Sequence, residues 1–151
     1  METNYKKVKD SLLSFGKNHS ACQHGYKRLY AAESVEAVMA VVKDNFSWCC
    51  QFADFADVLL AHREQFAEHK IWINTSVEIK EGVGYLLTTE GEFNAESWGT
   101  STINAESWET STMIILTSAI ECQVNDKSIA RYIQDNRVVF ADDSIKFEKQ
   151  G

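Results

Sequence analysis

Through the first seventy residues, apolar side chains recur at the three- and four-residue spacing of helices with one buried face. Tyr5, Val8, Leu12 and Phe15 form the first such stripe, and Gly16 stands where a helix tends to stop. Ser34 offers an N-cap to a second run, with Val35, Val38, Met39, Val42 and Phe46 on one side, leading into Trp48, Cys49 and Cys50. A third run, capped by Asp54 or Asp57, carries Val58, Leu59, Arg63, Phe66 and Ala67. Between the first two, CQHGYKRLY reads as a loop that turns at Gly25 and is anchored by Tyr26 and Tyr30. About three helices are thus predicted for residues 1–70.

After His69 the period shortens to two. Ile71 and Ile73, then Val77 and Ile79, alternate as strand residues do, and Gly82 and Gly84 frame a turn into YLLTT. Residues 71–92 read as a strand-rich junction. Beyond it, FNAESWGTST (93–102) is followed by INAESWETST (103–112), identical at eight of ten positions, so one unit has been duplicated. A looser signature continues: small polar residues just before an apolar strand start, as in Thr100-Ser101 before Ile103, Thr110-Ser111 before Met113 and Thr117-Ser118 before Ile120. It recurs before Ile129, Val138 and Ile145, so that strand starts fall 10, 7, 9, 9 and 7 residues apart. Ten extended residues reach at most about 33–36 Å, which suits one side of a coil better than a whole turn around a packed core. Residues 93–148 are therefore predicted to form a short repetitive β structure, a β-solenoid in preference to an antiparallel meander. Ile103 and Met113 take equivalent inward positions in that reading, and the helical region caps the first coil. The fold class is α+β.

Composition narrows the functional classes. Apolar residues make up 44% and charged residues 25%, a globular balance, and no proline interrupts the supply of backbone N–H groups to the strands. The four cysteines form no CxxC pair, adjacent Cys49 and Cys50 are poorly placed for a disulfide, and no apolar run reaches membrane-spanning length. The apolar stretch near the start is too short for a signal peptide. A cytoplasmic protein with reduced thiols and no membrane partner is expected. The net charge of −7 is uneven: residues 1–30 hold six Lys/Arg against two acids, and residues 31–151 hold nine against twenty. Between Lys80 and Lys127 there are eight acids and no base. Such a surface repels nucleic acid and attracts proteins with basic surfaces.

Candidate chemistry is sparse. His19, Cys22 and His24 are metal-ligand types at a spacing that matches no established zinc pattern, so no metal is expected. Cys49 and Cys50 fall in a helical run where a thiol behaves as a small apolar group. No glycine-rich phosphate loop occurs, and the carboxylate pair Glu96 and Glu106 follows from duplication alone. No catalytic residue and no cofactor are assigned. The repeat instead offers an interaction surface: Glu96, Trp98, Thr100, Thr102, Glu106, Trp108, Glu109, Thr110 and Thr112, in which the paired tryptophans are read first as core packing at strand ends and second as a stacking platform. The expected function is a non-enzymatic protein-interaction module with an acidic face. The alternatives are an inhibitor of a host protein, of phage or mobile-element origin, that mimics nucleic acid, and an enzyme with an unrecognised site.

One stretch, FGKNHSACQHGYKRLYAAESVEAVMAVVKDNFSWCC, resembles the helical N-terminal region of uncharacterised bacterial and phage-associated proteins. In those a Cys-x-x-Gly-Tyr element precedes a helix ending near Trp-Cys, and a Thr/Ser/Asn and aromatic β tail follows. The matching residues are Cys22, Gly25, Tyr26, Arg28, Tyr30, Trp48 and Cys49. The resemblance implies the same architecture and brings no activity or ligand with it. This chain departs from it in having only two near-identical units.

Overall fold

The computed structural model describes residues 2–117 and 120–141. The chain divides into two compact units, the first ending at Ile71 and the second starting at Trp72.

The first unit is helical, with α1 Glu2–Asn18, α2 Gln23–Ala31, α3 Val35–Asp44, α4 Phe46–Cys50, α5 Ala53–Ala61 and α6 Arg63–Glu68. Six helices therefore stand where three were predicted. The stripes themselves hold: Val8, Leu12, Phe15, Val38, Met39, Val42, Phe46, Leu59 and Phe66 are buried. The extra helices have local causes. CQHGYKRLY is α2 and not a loop: the Cys22 sulfur accepts the Gly25 N–H as its N-cap, a role the usual Ser, Thr, Asp and Asn signals do not announce. Leu29 is that helix's one buried residue, so it carries almost no periodic stripe. The run from Val35 breaks at Asn45, whose side-chain N–H donates to the Val41 carbonyl at 2.8 Å and competes with the helical ladder. Ser34 caps α3 as expected, accepting the Ala37 N–H at 3.1 Å. Neither Asp54 nor Asp57 caps α5: Phe52 takes the N-cap position, and Asp54 sits in the first turn, where a carboxylate suits the helix dipole.

The second unit is a β-solenoid, whose first strand starts on the boundary residue Ile71. Its strands are β1 Ile71–Ile73, β2 Val77–Ile79, β3 Val83–Thr88, β4 Glu92–Ser97, β5 Thr102–Ser107, β6 Thr112–Ile115, β7 Glu121–Val124, β8 Ile129–Tyr132 and β9 Arg137–Phe140. Successive strands alternate between two sheets, sheet A in the order β1-β3-β5-β7 and sheet B in the order β2-β4-β6-β8-β9. The pairs β2–β4, β3–β5, β4–β6, β5–β7 and β6–β8 are all parallel, which excludes the meander. Each duplicated ten-residue unit is one side of a coil, the first copy in sheet B and the second in sheet A. Residues 71–92 supply the opening strands of both sheets and are no separate junction. The rhythm ends at β9, which turns back antiparallel on β8. The expected strand start at Ile145 and the Ser118 of the turn signature lie outside the described residues.

Inward alternation packs Val77, Ile79, Leu86, Ala95, Ile103, Ala105, Met113, Ile115, Ala130 and Tyr132 into one core, and Ile103 and Met113 are indeed both buried. Gly84 belongs to β3 and not to a turn: a Cβ there would come within 2.8 Å of the Trp72 ring. The coil corners are polar inside. Ser101, Ser111 and Ser128 are buried, and each hydroxyl lies within hydrogen-bonding distance of the carbonyl three residues before it and of one in the preceding rung. The serines ahead of β5, β6 and β8 thus form a structural ladder that adds a second hydrogen bond to corner carbonyls already held by backbone N–H groups.

Candidate functional site

Because the duplicated unit is half a coil, its two copies face opposite ways. Trp98 and Thr100 occupy the edge where the chain passes from sheet B to sheet A, stacked on residues 80–82: Trp98 N–H donates to the Ile79 carbonyl at 3.0 Å and Thr102 N–H to the Gly82 carbonyl at 3.1 Å. Trp108, Glu109 and Thr110 occupy the other edge, between the corners 89–91 and 125–128: Trp108 N–H donates to the Thr88 carbonyl at 2.8 Å, and Glu109 receives the Lys127 N–H at 3.0 Å. Trp98 and Trp108 therefore form no common stacking platform. Thr102 is exposed on the outer side of sheet A, and Glu96 and Thr112 are half-buried on the outer side of sheet B. Glu106 is not a surface residue at all. It is buried, and its carboxylate accepts the Trp108 indole N–H at 2.9 Å. The nine residues expected to form one surface are spread over two edges and two faces.

A more coherent surface is the outer face of sheet B. Parallel register sets side chains of successive rungs into straight columns about 4.8 Å apart. One column begins with Glu78 and Glu96, which are register partners, and continues through Leu116 to Ile133. A second runs from Asn94 through Ile114 and Arg131 to Val138, and a third from Glu92 through Thr112 and Ile129 to Phe140. The face is thus split: carboxylates on β2 and β4, and largely apolar residues on β6, β8 and β9. Glu78 and Glu96 have no ion-pair partner among the described residues, although they stand side by side. Ile133 is 46% exposed, one of the few large apolar residues open to solvent. At the adjoining edge Glu90, Glu109 and Asp126 are exposed in successive corners, extending the acidic border. The sequence signal for the apolar half was the run Met113–Leu116, apolar at both alternating positions where the duplicated unit is polar on one side.

In the helical unit, the metal-ligand types have other duties. His19 Nε2 lies 2.7 and 2.8 Å from the two Asp54 carboxylate oxygens, and its ring stacks on Phe52 at 4.0 Å between centroids. Cys22 caps α2, and His24 is exposed. No group of three or more His, Cys, Asp or Glu positioned to hold a metal occurs among the described residues. Burial pushes the Cys49 thiol up to about 12, away from thiolate reactivity. Burial likewise raises Cys122 to about 11, with hydrogen bonding to Ser107 opposing the shift and Glu106 adding to it. His62, 2.9 Å from the Ser11 hydroxyl, is held below the ordinary histidine value, first by burial and then by Lys7. No helix among the described residues is long and apolar enough to cross a membrane. Compared with family models, curated proteins and solved structures, the chain matches none.

Proposed function

We propose that this chain is a non-enzymatic protein-interaction module, and that the outer face of sheet B is the surface it uses. The observation that carries the reading is the column Glu78–Glu96–Leu116–Ile133, in which two register-paired carboxylates without a counter-ion abut an open apolar surface. Adjacent like charges on a sheet are destabilising, so the arrangement costs the isolated fold something that a cationic partner would relieve. The fitting partner presents Lys or Arg beside apolar side chains: the charges speed encounter and the apolar contact slows release. The four free thiols suit a reducing compartment such as the cytoplasm.

The test is crosslinking with mass spectrometry in the native cell extract, using the wild-type chain, Glu78→Lys/Glu96→Lys and Ile133→Ser. A partner with a basic surface is expected to be captured by the wild type and lost from both variants, with their circular dichroism unchanged. Identical capture by all three folded chains would refute the assignment of this face.

A further inference from the structure

The helical unit contains an apolar cavity of about 210 Å³, independent of the sheet B face. Its walls come from α1, the start of α2, the end of α3, and α4, and none of the lining residues is charged. Three aromatic rings contribute, Phe15, Tyr26 and Trp48; Phe15 and Trp48 meet edge-on at 5.9 Å and 75°. An apolar cavity of about 150 Å³ holds benzene, so this one has room for one or two fused rings.

Two glycines line the cavity, and neither is demanded by the backbone. Gly16 lies inside α1 and Gly25 inside α2, and neither is among the residues with positive φ. A Cβ at Gly16 would come no closer than 3.4 Å to Tyr26, and one at Gly25 no closer than 3.4 Å to the Cys22 sulfur; both are ordinary contacts. Alanine would fit at either site and favour the helix. What the two glycines share is a place in the wall of the cavity.

One amide side chain, Asn45, also stands in the wall of the cavity. The Asn45 side chain is fixed by its N–H to the Val41 carbonyl at 2.8 Å, and its Oδ1 accepts no hydrogen bond among the described residues. Apolar walls with a few oriented polar groups are the ordinary construction of a small-molecule site.

We propose that this cavity binds a neutral planar aromatic molecule of one or two fused rings bearing one hydrogen-bond donor. Indole is the probe of that class, and Asn45 Oδ1 is the acceptor for its N–H. Cys22 lines the same cavity and is the one exposed thiol, so it reports on occupancy. The experiment is titration of the full chain with 5-fluoroindole followed by fluorine NMR, paired with the rate at which Cys22 reacts with Ellman's reagent. Saturable binding with a Kd below about 1 mM is expected, with at least fivefold protection of Cys22. Indene, which has the shape without the donor, should bind at least tenfold more weakly. Gly25→Met, which fills the space, should remain helical and lose at least tenfold in affinity. If that variant does not fold, intermolecular nuclear Overhauser contacts from wild-type Phe15, Tyr26 and Trp48 to the ligand decide the location. Absence of saturable binding, an unprotected Cys22, undiminished binding by folded Gly25→Met, or contacts elsewhere would overturn the site. Indene binding as tightly as indole would overturn the role of Asn45.

Discussion

Two of the ten positions differ between the duplicated units, and one of the differences has a backbone cause. Gly99 and Glu109 hold matching places and both are left-handed, at φ 64° and 56°. At Gly99 a Cβ would also approach the Lys80 carbonyl oxygen of the preceding rung to 3.3 Å, while Glu109 is exposed. An L side chain in this conformation costs about 1–2 kcal/mol. Gly99→Glu is therefore expected to lower stability by about 1–3 kcal/mol, whereas Glu109→Gly should leave it unchanged or raise it by up to about 1 kcal/mol. Urea denaturation of the two variants checks the order. The buried thiol of Cys49 supplies a second expectation. Its folded pKa of about 12 lies above the ordinary 9.0, so between those values the folded chain keeps a proton that the unfolded chain has released. Its contribution is thus complete below about pH 9 and falls as pH rises, by up to about 1.4 kcal/mol per unit. Cys49→Ala should flatten the loss of stability between pH 9 and 11 in denaturant titrations; an unchanged slope would assign the alkaline lability to other groups.

The Thr-Ser pairs between strands divide their labour in a way that alternation alone does not reveal. Ser111 is buried, 2.9 Å from the Thr88 hydroxyl and 2.9 Å from the Trp108 carbonyl, while Thr110 faces solvent. Ser111→Ala leaves the buried Thr88 hydroxyl without its partner and should cost about 1–3 kcal/mol, against less than about 0.5 kcal/mol for Thr110→Ala. Equal effects in thermal melts would show that the corner hydroxyls are dispensable. The same elements explain what was legible. Strand starts repeat in the sequence because the corners before β5, β6 and β8 each bury a serine hydroxyl against two carbonyls, so the solenoid and its spacing were readable. Helices α2, α4 and α6 were not, because each is short or caps itself by a sulfur or a side-chain break rather than by a stripe and a standard cap. The interaction surface was misread for a geometric reason: a half-coil repeat turns Trp98 and Trp108 to opposite edges and lets Glu106 bury against Trp108. Identity in sequence gave no identity of exposure.

Charge is distributed along the whole chain in a way that bears on partner choice. Residues 1–30 carry six Lys/Arg against two acids, and the remainder carries nine against twenty. Arg28 in that basic stretch is already paired with Asp44 at 2.6 Å, which removes one of the cations a phosphate backbone would need. On the solenoid, Glu78 and Glu96 stand in register, and Glu90, Glu109 and Asp126 are exposed in successive corners. Nonspecific binding to nucleic acid requires several phosphate contacts from a contiguous cationic surface, and its strength grows as salt is lowered. The repulsion from the acidic excess grows under the same conditions, because screening weakens as the Debye length rises from about 8 Å at physiological salt to about 30 Å at 10 mM. Lowering the salt therefore strengthens both the local attraction at the basic stretch and the larger opposing field, and the net charge of −7 decides the balance against binding. A polarisation titration of labelled duplex DNA at 10 mM salt is expected to show no binding at micromolar protein. Salt-sensitive binding there would mean that the basic helices α1 and α2, and not the acidic solenoid, form the functional surface.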